Sequence, residues 1–267
     1  MRIAAISDIH GNLPALDAVL ADIAASAVDV TVNLGDILSG PLWIEETAAR
    51  LVALGLPTIR GNHERQVLTL APERMGASDR FAAQRLSSGT RAWLQSLPAT
   101  LALAPQVFCC HGTPDRDLQY LLETTEPGFA RGGAPGIRAA TVDEVAARLG
   151  TTLHGVPQAL VLCGHSHVPR ALGLPDGRLV VNPGSVGLQA YDDAHGHAHV
   201  VENGTPHARY ALITHRAAGW QVDLRAVPYD HEAAAQRAEA GRRGDWADAL
   251  RTGRVGRFEA GSAEGDA

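Results

Sequence analysis

Apolar runs of strand length recur along the chain, and five of them end directly in a group of Asp, His or Asn residues. Such runs are typical of parallel strands that are covered on both faces. In open α/β sheets, ligands collect just beyond the carboxyl ends of these strands. The sequence therefore predicts an α/β fold whose strand ends supply a metal or substrate site. The residues after the five runs are Asp8 and His10; Asp36; Asn62 and His63; His111; and His165 and His167.

Helical periodicity fills much of the sequence between these runs. Apolar residues from Leu16 to Ile23 recur at helical spacing after the first group, which predicts the crossover helix of a βαβ unit. Residues 42–54 predict a second helix of this kind. Shorter helical patterns at 64–70, 78–86 and 90–97 predict a helical insertion over about residues 64–97.

An irregular insertion of about residues 113–155 separates the fourth and fifth groups. It contains an expected short helix at 117–122, a glycine-rich stretch at 128–136 and a helix near 142–149. The glycine-rich stretch either covers the site and supplies Arg131 or Arg138 to a substrate phosphate, or is a solvated loop. Long irregular connections are only sometimes functional, which favours the solvated loop.

The pattern beyond His167 changes to short strands and turns, which is typical of antiparallel strands. A hairpin is expected at 208–214 and 220–227, followed by closing helices at 230–240 and 245–250. No linker divides the chain, so residues 1–252 are expected to form a single domain and 253–267 a flexible tail.

Composition excludes several classes of protein. The formal net charge of −6 argues against a general nucleic-acid binder, whose surface would be basic. An anionic substrate stays open, because bound metal ions would dominate the local field. No membrane span or secretory signal is visible, so a cytoplasmic protein is expected. The three cysteines are expected to be reduced and buried.

The chemistry of the five groups points to divalent cations. Carboxylates, imidazoles and an amide carbonyl are ligands for hard or borderline ions, and no thiolate loop accompanies them. Seven donors exceed the needs of one four-coordinate ion, but they suit two ions that share a carboxylate. Two ions about 3.5–4 Å apart clamp the entering and leaving oxygens of a displacement at phosphorus. A dinuclear phosphoesterase centre follows.

The ordered motifs resemble those of the calcineurin-like metallophosphoesterase superfamily over about residues 1–190. The compact size and the segment NPGSVG at 182–187 are most similar to its small prokaryotic phosphodiesterase branch. This resemblance implies a four-layer α/β/β/α sandwich with mixed sheets. The matching motifs are Asp8-x-His10, Gly35-Asp36, Gly61-Asn62-His63-Glu64, His111-Gly112 and Gly164-His165-x-His167.

The resemblance also implies roles for individual residues. Asp36 would bridge two divalent ions, with manganese favoured and iron, cobalt, nickel or zinc open. A hydroxide between the ions would attack phosphorus in line, and His63 would assist the leaving oxygen. Asn182 and Ser185 would hold a turn under the site by hydrogen bonds. The first ion would be bound by Asp8, His10 and His167, and the second by Asn62, His111 and His165.

One departure from the superfamily concerns the segment GDILSGP at 35–41. Phosphatases that act on phosphoproteins and dinucleoside polyphosphates commonly carry GDxVDRG there. Ser39 replaces the Asp that would orient the catalytic histidine, and the substrate-binding Arg is absent. Both substrate classes are therefore disfavoured. The partner of His63 stays open, since adjacency does not place the carboxylate of Glu64 at the imidazole.

A second cluster of acidic and histidine residues follows the motifs. Either it forms another metal site, or it is a solvated loop, which its glycines and a nearby proline favour. Its members are Asp192, Asp193, His195, His197 and His199.

The sequence favours a metal-dependent phosphodiesterase with a small phosphate-ester substrate. The alternatives are a phosphomonoesterase or nucleotidase, and a catalytically silent binding scaffold. No membrane partner and no extended nucleic-acid partner are expected, and homo-oligomerisation stays open.

Overall fold

The computed structural model describes residues 1–259. The helices are α1 (Leu13–Ala24), α2 (Ile44–Leu54), α3 (Asn62–Thr69), α4 (Ala77–Ala83), α5 (Ser88–Ser96), α6 (Val142–Leu149), α7 (His231–Ala240) and α8 (Gly244–Thr252), with a short 3₁₀ helix at Pro72–Arg74. The strands are β1 (Arg2–Ile6), β2 (Val30–Asn33), β3 (Leu101–Ala104), β4 (Val107–Cys109), β5 (Glu123–Thr125), β6 (Ile137–Ala139), β7 (Leu160–Leu162), β8 (Arg170–Gly173), β9 (Leu179–Asn182), β10 (Ala190–Asp193), β11 (His199–Glu202), β12 (Ala208–Arg216) and β13 (Gly219–Val227).

Two mixed sheets form the centre of the fold. The first has the strand order β13-β12-β1-β2, in which β1 pairs parallel with β2 and antiparallel with β12. The second has the order β3-β4-β7-β9-β8, with β4, β7 and β9 parallel and both edge strands antiparallel. The mixed sheets expected from the sequence are therefore confirmed.

The alternation of side chains along the strands creates the layers. On β1, Ile3 and Ala5 pack in one core with Leu160 of the second sheet. Ala4 points to the opposite face and packs in another core with Leu16 of α1. Successive side chains of a strand point to opposite faces, so this short apolar run contributes to two cores.

A helix covers the outer face of the second sheet. Val161 and Val180 pack there against Val145 and Leu149 of α6. Together with α1 and α2 on the first sheet, this gives the expected four-layer α/β/β/α arrangement, which is confirmed.

The helix expected at 117–122 is wrong. These residues form turns that lead into β5, and tertiary bonds hold them in that shape. The amide of Thr113 donates to the carbonyl of Arg116 at 2.9 Å, and Arg65 makes two hydrogen bonds, of 2.6 and 2.8 Å, to the Asp117 carboxylate. These bonds close the loop before a helical turn can form.

The prediction of a solvated loop at 192–199 is wrong for the first and last residues of this range, which lie in strands. β10 and β11 pair antiparallel there, with Asp193 opposite His199, and only residues 194–198 connect them. The His199 side chain is 1% exposed. The hairpin expected at 208–227 is confirmed, with Arg216 opposite Gly219.

The expected flexible tail begins at residue 253. Within it, Arg257 pairs with Asp248 and Glu239, and the amide of Val255 donates to Glu202. Residues 260–267 lie outside the described residues. None of the helices in residues 1–259 combines the length and apolar character needed to cross a membrane.

Candidate metal centre

The seven predicted donors meet at one site, six of them just beyond the ends of strands of both sheets. The strand expected before Asn62 is wrong, because Thr58 makes only an isolated bridge to Asn33 and Asn62 is the first residue of α3. Several of the donors lie in loops whose backbone enters the left-handed region, which non-glycine residues rarely adopt. Such backbone is typical of sites where the surrounding structure imposes the geometry. The φ values are 55° at Asp8, 53° at His10, 54° at Asp36, 70° at His165 and 60° at His167.

Two glycines allow these loops to approach one another closely. A Cβ atom on Gly61 would lie 2.1 Å from Oδ1 of Asp36, and one on Gly187 would lie 1.9 Å from the carbonyl oxygen of Ile9. The amide of Gly187 also donates to the carbonyl of Asp8 at 2.9 Å. The NPGSVG segment therefore packs against the loop that carries Asp8 and His10 and is hydrogen-bonded to it.

The first donor group consists of Asp8, His10 and His167. Nδ1 of His10 lies 2.7 Å from the carbonyl oxygen of Ser39, and Nδ1 of His167 lies 2.8 Å from that of Leu188. A carbonyl only accepts, so each Nδ1 carries the proton and each Nε2 presents a lone pair. The two Nε2 atoms lie 3.1 Å apart. Facing lone pairs at this distance suit a shared cation.

The second donor group consists of Asp36, His111 and His165, with Asn62 beside it. Oδ2 of Asp36 lies 2.9 Å from Nε2 of His111. One terminal atom of the Asn62 amide lies 3.2 Å from Oδ2 of Asp36, 3.1 Å from Nε2 of His111 and 3.0 Å from Nδ1 of His165. As the carbonyl oxygen, that atom would join the other three as a metal ligand.

An orphaned carboxylate oxygen supports the fit to metal ions. Oδ1 of Asp8 is buried and accepts no hydrogen bond from any of residues 1–259. A buried carboxylate oxygen without a partner is costly unless a cation balances it. The carboxylates, imidazoles and amide present suit divalent first-row ions. The residues therefore fit two divalent cations, one at each donor group.

The electrostatics keep most donors in their ligand form. Burial, reinforced by the neighbouring His167, lowers the pKa of His10 to about 3, and burial together with His111 lowers that of His165 to about 4. Burial would raise the pKa of Asp36, but His111 and His63 outweigh it and hold that pKa well below its usual range. Neutral imidazole and ionised carboxylate are the states that bind metals.

His111 behaves differently from the other two imidazoles. Burial lowers its pKa, but the carboxylates of Asp36 and Asp8 outweigh that effect and raise it to about 9. Nδ1 of His111 lies 2.8 Å from the carbonyl oxygen of Leu34, so the extra proton lies on Nε2, facing Asp36. A bound cation would replace that proton, so metal binding at this group would release a proton.

Glu64 holds the backbone around Asp36. Its carboxylate accepts hydrogen bonds from the amides of Gly61 (2.8 Å), Asp36 (2.9 Å) and Ile37 (2.8 Å). The side chain is buried, and burial raises its pKa, with Asp36 adding to the effect. Glu64 is thus a bridge between the start of α3 and the Asp36 loop.

The partner of His63 is Asp79, which the sequence did not reveal. Nδ1 of His63 lies 2.7 Å from Oδ1 of Asp79, a buried residue of α4, and its Nε2 lies 4.0 Å from Oδ2 of Asp36. Burial lowers the pKa of His63, but Asp79 and Asp36 outweigh it and hold that pKa well above its usual range. An acidic residue in an amphipathic helical insertion carries no motif that would have identified it.

Asn182 and Ser185 bond the backbone of the ligand loops. The amide of Asn182 donates to the carbonyl of Gly164 at 2.7 Å, in the loop that carries His165. The hydroxyl of Ser185 donates to the carbonyl of Asp8 at 2.8 Å. Neither side chain belongs to the two donor groups found within residues 1–259, and neither group includes Asp192, Asp193, His195, His197 or His199.

A cavity of about 440 Å³ opens over the donors. Beyond the donors, its wall includes His63, Asp79, Trp246, Asp192, Asp193 and Glu259. No arginine from residues 1–259 lines this cavity, and the sequence contains no lysine. A second cavity of about 560 Å³ shares Leu118 and His195 with the first.

The hypothesis that Arg131 or Arg138 reaches the substrate is not supported by their positions. Arg131 donates to the carbonyl of Gly256 at 2.7 Å, and its guanidinium lies 4.4 Å from the ring centre of Phe258. Arg138 forms an ion pair of 2.8 Å with Glu144. Neither residue lines the cavity over the donors.

Comparison with known proteins gives a family and two similar folds. The sequence model of the calcineurin-like phosphoesterase superfamily domain matches residues 1–205. A metallophosphoesterase from Sphaerobacter thermophilus shows 24% identity and a TM-score of 0.69, over 95% of this chain and 99% of its own. Hypothetical protein PH1004 from Pyrococcus horikoshii OT3 shows 19% identity and a TM-score of 0.68, over 96% and 99%. A search of the curated proteins finds no match.

Proposed function

This chain belongs to the calcineurin-like phosphoesterase superfamily, and from that premise we propose that it is a metal-dependent phosphodiesterase. The observation that carries the preference for diesters is the charge of the cavity wall. Beyond the donors it presents Asp192, Asp193 and Glu259, of which Glu259 pairs with Arg243 at 3.2 Å, and no arginine from residues 1–259 lines the cavity. A phosphodiester carries one negative charge and a monoester at neutral pH nearly two, so this wall disfavours the monoester more strongly.

The space around the donors also favours two ester groups. The cavity over the donors and its neighbour meet at Leu118 and His195. A diester has a substituent on each side of phosphorus, and the second cavity offers room for the one that does not leave.

The donor groups assign the metals. Asp8, His10 and His167 would hold the first ion, and Asn62, His111 and His165 the second, with Asp36 between them. When bound, two such ions neutralise phosphoryl charge and make a water molecule acidic enough to act as a nucleophile. Manganese is the favoured ion, while iron, cobalt, nickel and zinc suit the same donors.

His63 is the proposed general acid. The Asp79 carboxylate accepts a hydrogen bond from Nδ1 and fixes the ring, so that Nε2 would carry the proton that the leaving oxygen needs. The carboxylates of Asp79 and Asp36 hold the pKa of the imidazole well above its usual range, which supports a protonated ring. Asp79 would thus orient His63, the role that the resemblance gives to an Asp at the position of Ser39 in the GDILSGP segment.

The test compares bis-p-nitrophenyl phosphate with p-nitrophenyl phosphate, using metal-stripped protein reloaded with manganese. We expect kcat/KM to favour the diester at least about tenfold, which corresponds to a difference of about 1.4 kcal/mol between the two transition states. Preference for the monoester would instead indicate a phosphatase or nucleotidase. No hydrolysis of either substrate by protein with two ions bound would indicate a binding scaffold.

A further inference from the structure

Two tyrosine rings pack against metal-ligating histidines that belong to different donor groups. The ring centre of Tyr120 lies 4.7 Å from that of His165, and the ring centre of Tyr191 lies 4.7 Å from that of His167. His165 belongs to the second donor group and His167 to the first. Each tyrosine therefore limits the rotation of one imidazole.

The two tyrosines are joined to each other and to a buried histidine. Their hydroxyl oxygens lie 2.8 Å apart, and the Tyr120 hydroxyl lies 2.9 Å from Nε2 of His199. Nδ1 of His199 lies 2.7 Å from the carbonyl oxygen of His197. We call Tyr120, Tyr191 and His199 the tyrosine brace.

The direction of the hydrogen bonds in the brace follows from its last member. The carbonyl of His197 only accepts, so Nδ1 of His199 donates to it, and in that tautomer Nε2 accepts from the hydroxyl of Tyr120. The oxygen of Tyr120 is then free to accept from the hydroxyl of Tyr191. Every polar group of the brace is satisfied in this order, although Tyr120 is only 8% and His199 only 1% exposed.

The brace also connects segments that are distant in the sequence. Tyr120 closes the loop that begins at His111, whereas Tyr191 and His199 lie on the paired strands β10 and β11. The Tyr191 hydroxyl additionally lies 3.4 Å from the carbonyl oxygen of Ser166, between the two ligating histidines. A shift of either strand would therefore reach both imidazoles at once.

We propose that the tyrosine brace is a positioning device that couples the two metal sites by fixing the spacing of His165 and His167. This inference depends on the proposed function for the assignment of the two ions. Groups that orient ligating histidines typically change metal affinity 10- to 100-fold when they are altered. The hydrogen bond between the hydroxyls of Tyr120 and Tyr191 links the two rings. Without it, each ring would be free to move with the imidazole that it contacts.

The test removes single hydroxyl groups and keeps the aromatic rings. Tyr120→Phe and Tyr191→Phe are titrated with Mn²⁺ by calorimetry, and the magnetic coupling of the two ions is followed by electron paramagnetic resonance. We expect each variant to bind at least one ion about tenfold more weakly and to show a weakened coupling signal. The double variant should resemble Tyr120→Phe, because that change already breaks the bond that Tyr191→Phe removes and breaks the bond to His199 as well.

Tyr210→Phe is the matched control. Tyr210 is a fully buried tyrosine whose hydroxyl donates to Asp22, and it belongs to the core beside α1. A structural role of buried tyrosine hydroxyls in general would weaken Mn²⁺ binding in this variant too. Unchanged affinity and coupling in both brace variants, or an equal loss in Tyr210→Phe, would overturn the proposal.

The wild-type titration separates this inference from the proposed function. Fewer than two bound ions would overturn both the two-metal function and the brace. Two bound ions without diester turnover would remove only the proposed activity, and the brace would still be judged by its variants. Two ions, diester turnover and unaffected variants would remove only the brace.

Discussion

The cavity has two sides that are built in different ways. The donor side is formed by loops that leave the two sheets within a few residues of a strand, and its backbone is forced into rare conformations at Asp8, His10 and Asp36. The opposite wall is formed by α4, α8 and the β10–β11 hairpin, which contribute Asp79, Trp246 and Asp192. The loops of the two sheets position the proposed metal ligands, while peripheral elements complete the wall of the cavity over them.

This difference predicts that substitutions on the two sides have different effects on metal content and turnover. Changes on the donor side should remove metal and activity together. Changes at Asp79 or Asp192 on the opposite wall should leave the metal bound and alter turnover or substrate choice, whereas Tyr191 on the same wall packs on His167 as part of the tyrosine brace.

The largest expected effect is that of Asp36→Asn on the donor side. The amide keeps the shape of the side chain but loses the charge that balances His111 and both cations. We expect metal content to fall below two ions and kcat/KM to drop by more than about 100-fold, since ligands matter more than their supporting groups. Elemental analysis and diester hydrolysis measure both. Asp17→Asn, at a half-exposed residue paired with Arg50, is the control.

Full activity in Asp36→Asn would contradict the shared-carboxylate arrangement. Loss of activity with two ions retained would move Asp36 from metal binding to a direct role in the reaction.

The next effect is that of Asp79→Asn on the opposite wall. The imidazole of His63 would lose the carboxylate that orients it and stabilises its proton. We expect two ions to remain bound and kcat to fall up to about 100-fold, the lower end of the usual contribution of general acid catalysis, because the imidazole itself is retained. The loss should be largest for diesters with poor leaving groups, because p-nitrophenolate leaves with little protonation.

Asp143→Asn, at an exposed residue of α6, is the control for this variant. An equal loss for good and poor leaving groups would show that Asp79 does not act through proton transfer by His63.

The next prediction concerns Glu123, a buried carboxylate that lines the second cavity and belongs to neither side of the first. Burial raises its pKa to about 7, although Ser166 and Arg170 oppose the shift. The native state therefore binds more protons than the unfolded state between about pH 4.5 and 7. The free energy of unfolding contributed by this group thus falls as pH rises through that window.

Glu123→Gln should remove this pH dependence. We expect the variant to match wild type near pH 4 and to gain up to about 3 kcal/mol in free energy of unfolding at pH 8, because the pKa is raised from 4.5 to about 7 and each unit corresponds to about 1.4 kcal/mol. Urea denaturation at both pH values measures the difference. Glu73→Gln, at an exposed glutamate, is the control. A loss of stability at pH 8 would show that the ion pair with Arg170 outweighs the cost of burial.

The two sides also differ in how far the sequence predicts them. Asp8, His10 and His165 follow strands within a few residues, so a local pattern and an ordered set of motifs identify them. Asp79 meets His63 only through the packing of α4 on α3, and Tyr120 meets Tyr191 across 71 residues. Their roles depend on tertiary contacts that no spacing encodes.

These two errors in secondary structure have different physical causes. The turns at 117–122 are held by the ion pair of Arg65 with Asp117, a partner 52 residues away that overrides helical spacing. The strand that carries His199 pairs with β10 in a local hairpin, with Asp193 opposite His199, despite the glycine and polar residues around it.

The smallest expected effect concerns Arg116, which lines the second cavity. This exposed side chain makes no hydrogen bond or ion pair shown within residues 1–259, unlike the neighbouring Arg65 and Arg148. We expect Arg116→Ala to raise KM about threefold for a diester whose second substituent is anionic, because exposed charge pairs contribute at most about 1 kcal/mol. KM for bis-p-nitrophenyl phosphate should not change, and Arg74→Ala, at an exposed arginine outside both cavities, should leave both KM values unchanged. Equal KM changes for the two substrates would place the second substituent outside this cavity, and selection would then depend on the acidic wall alone.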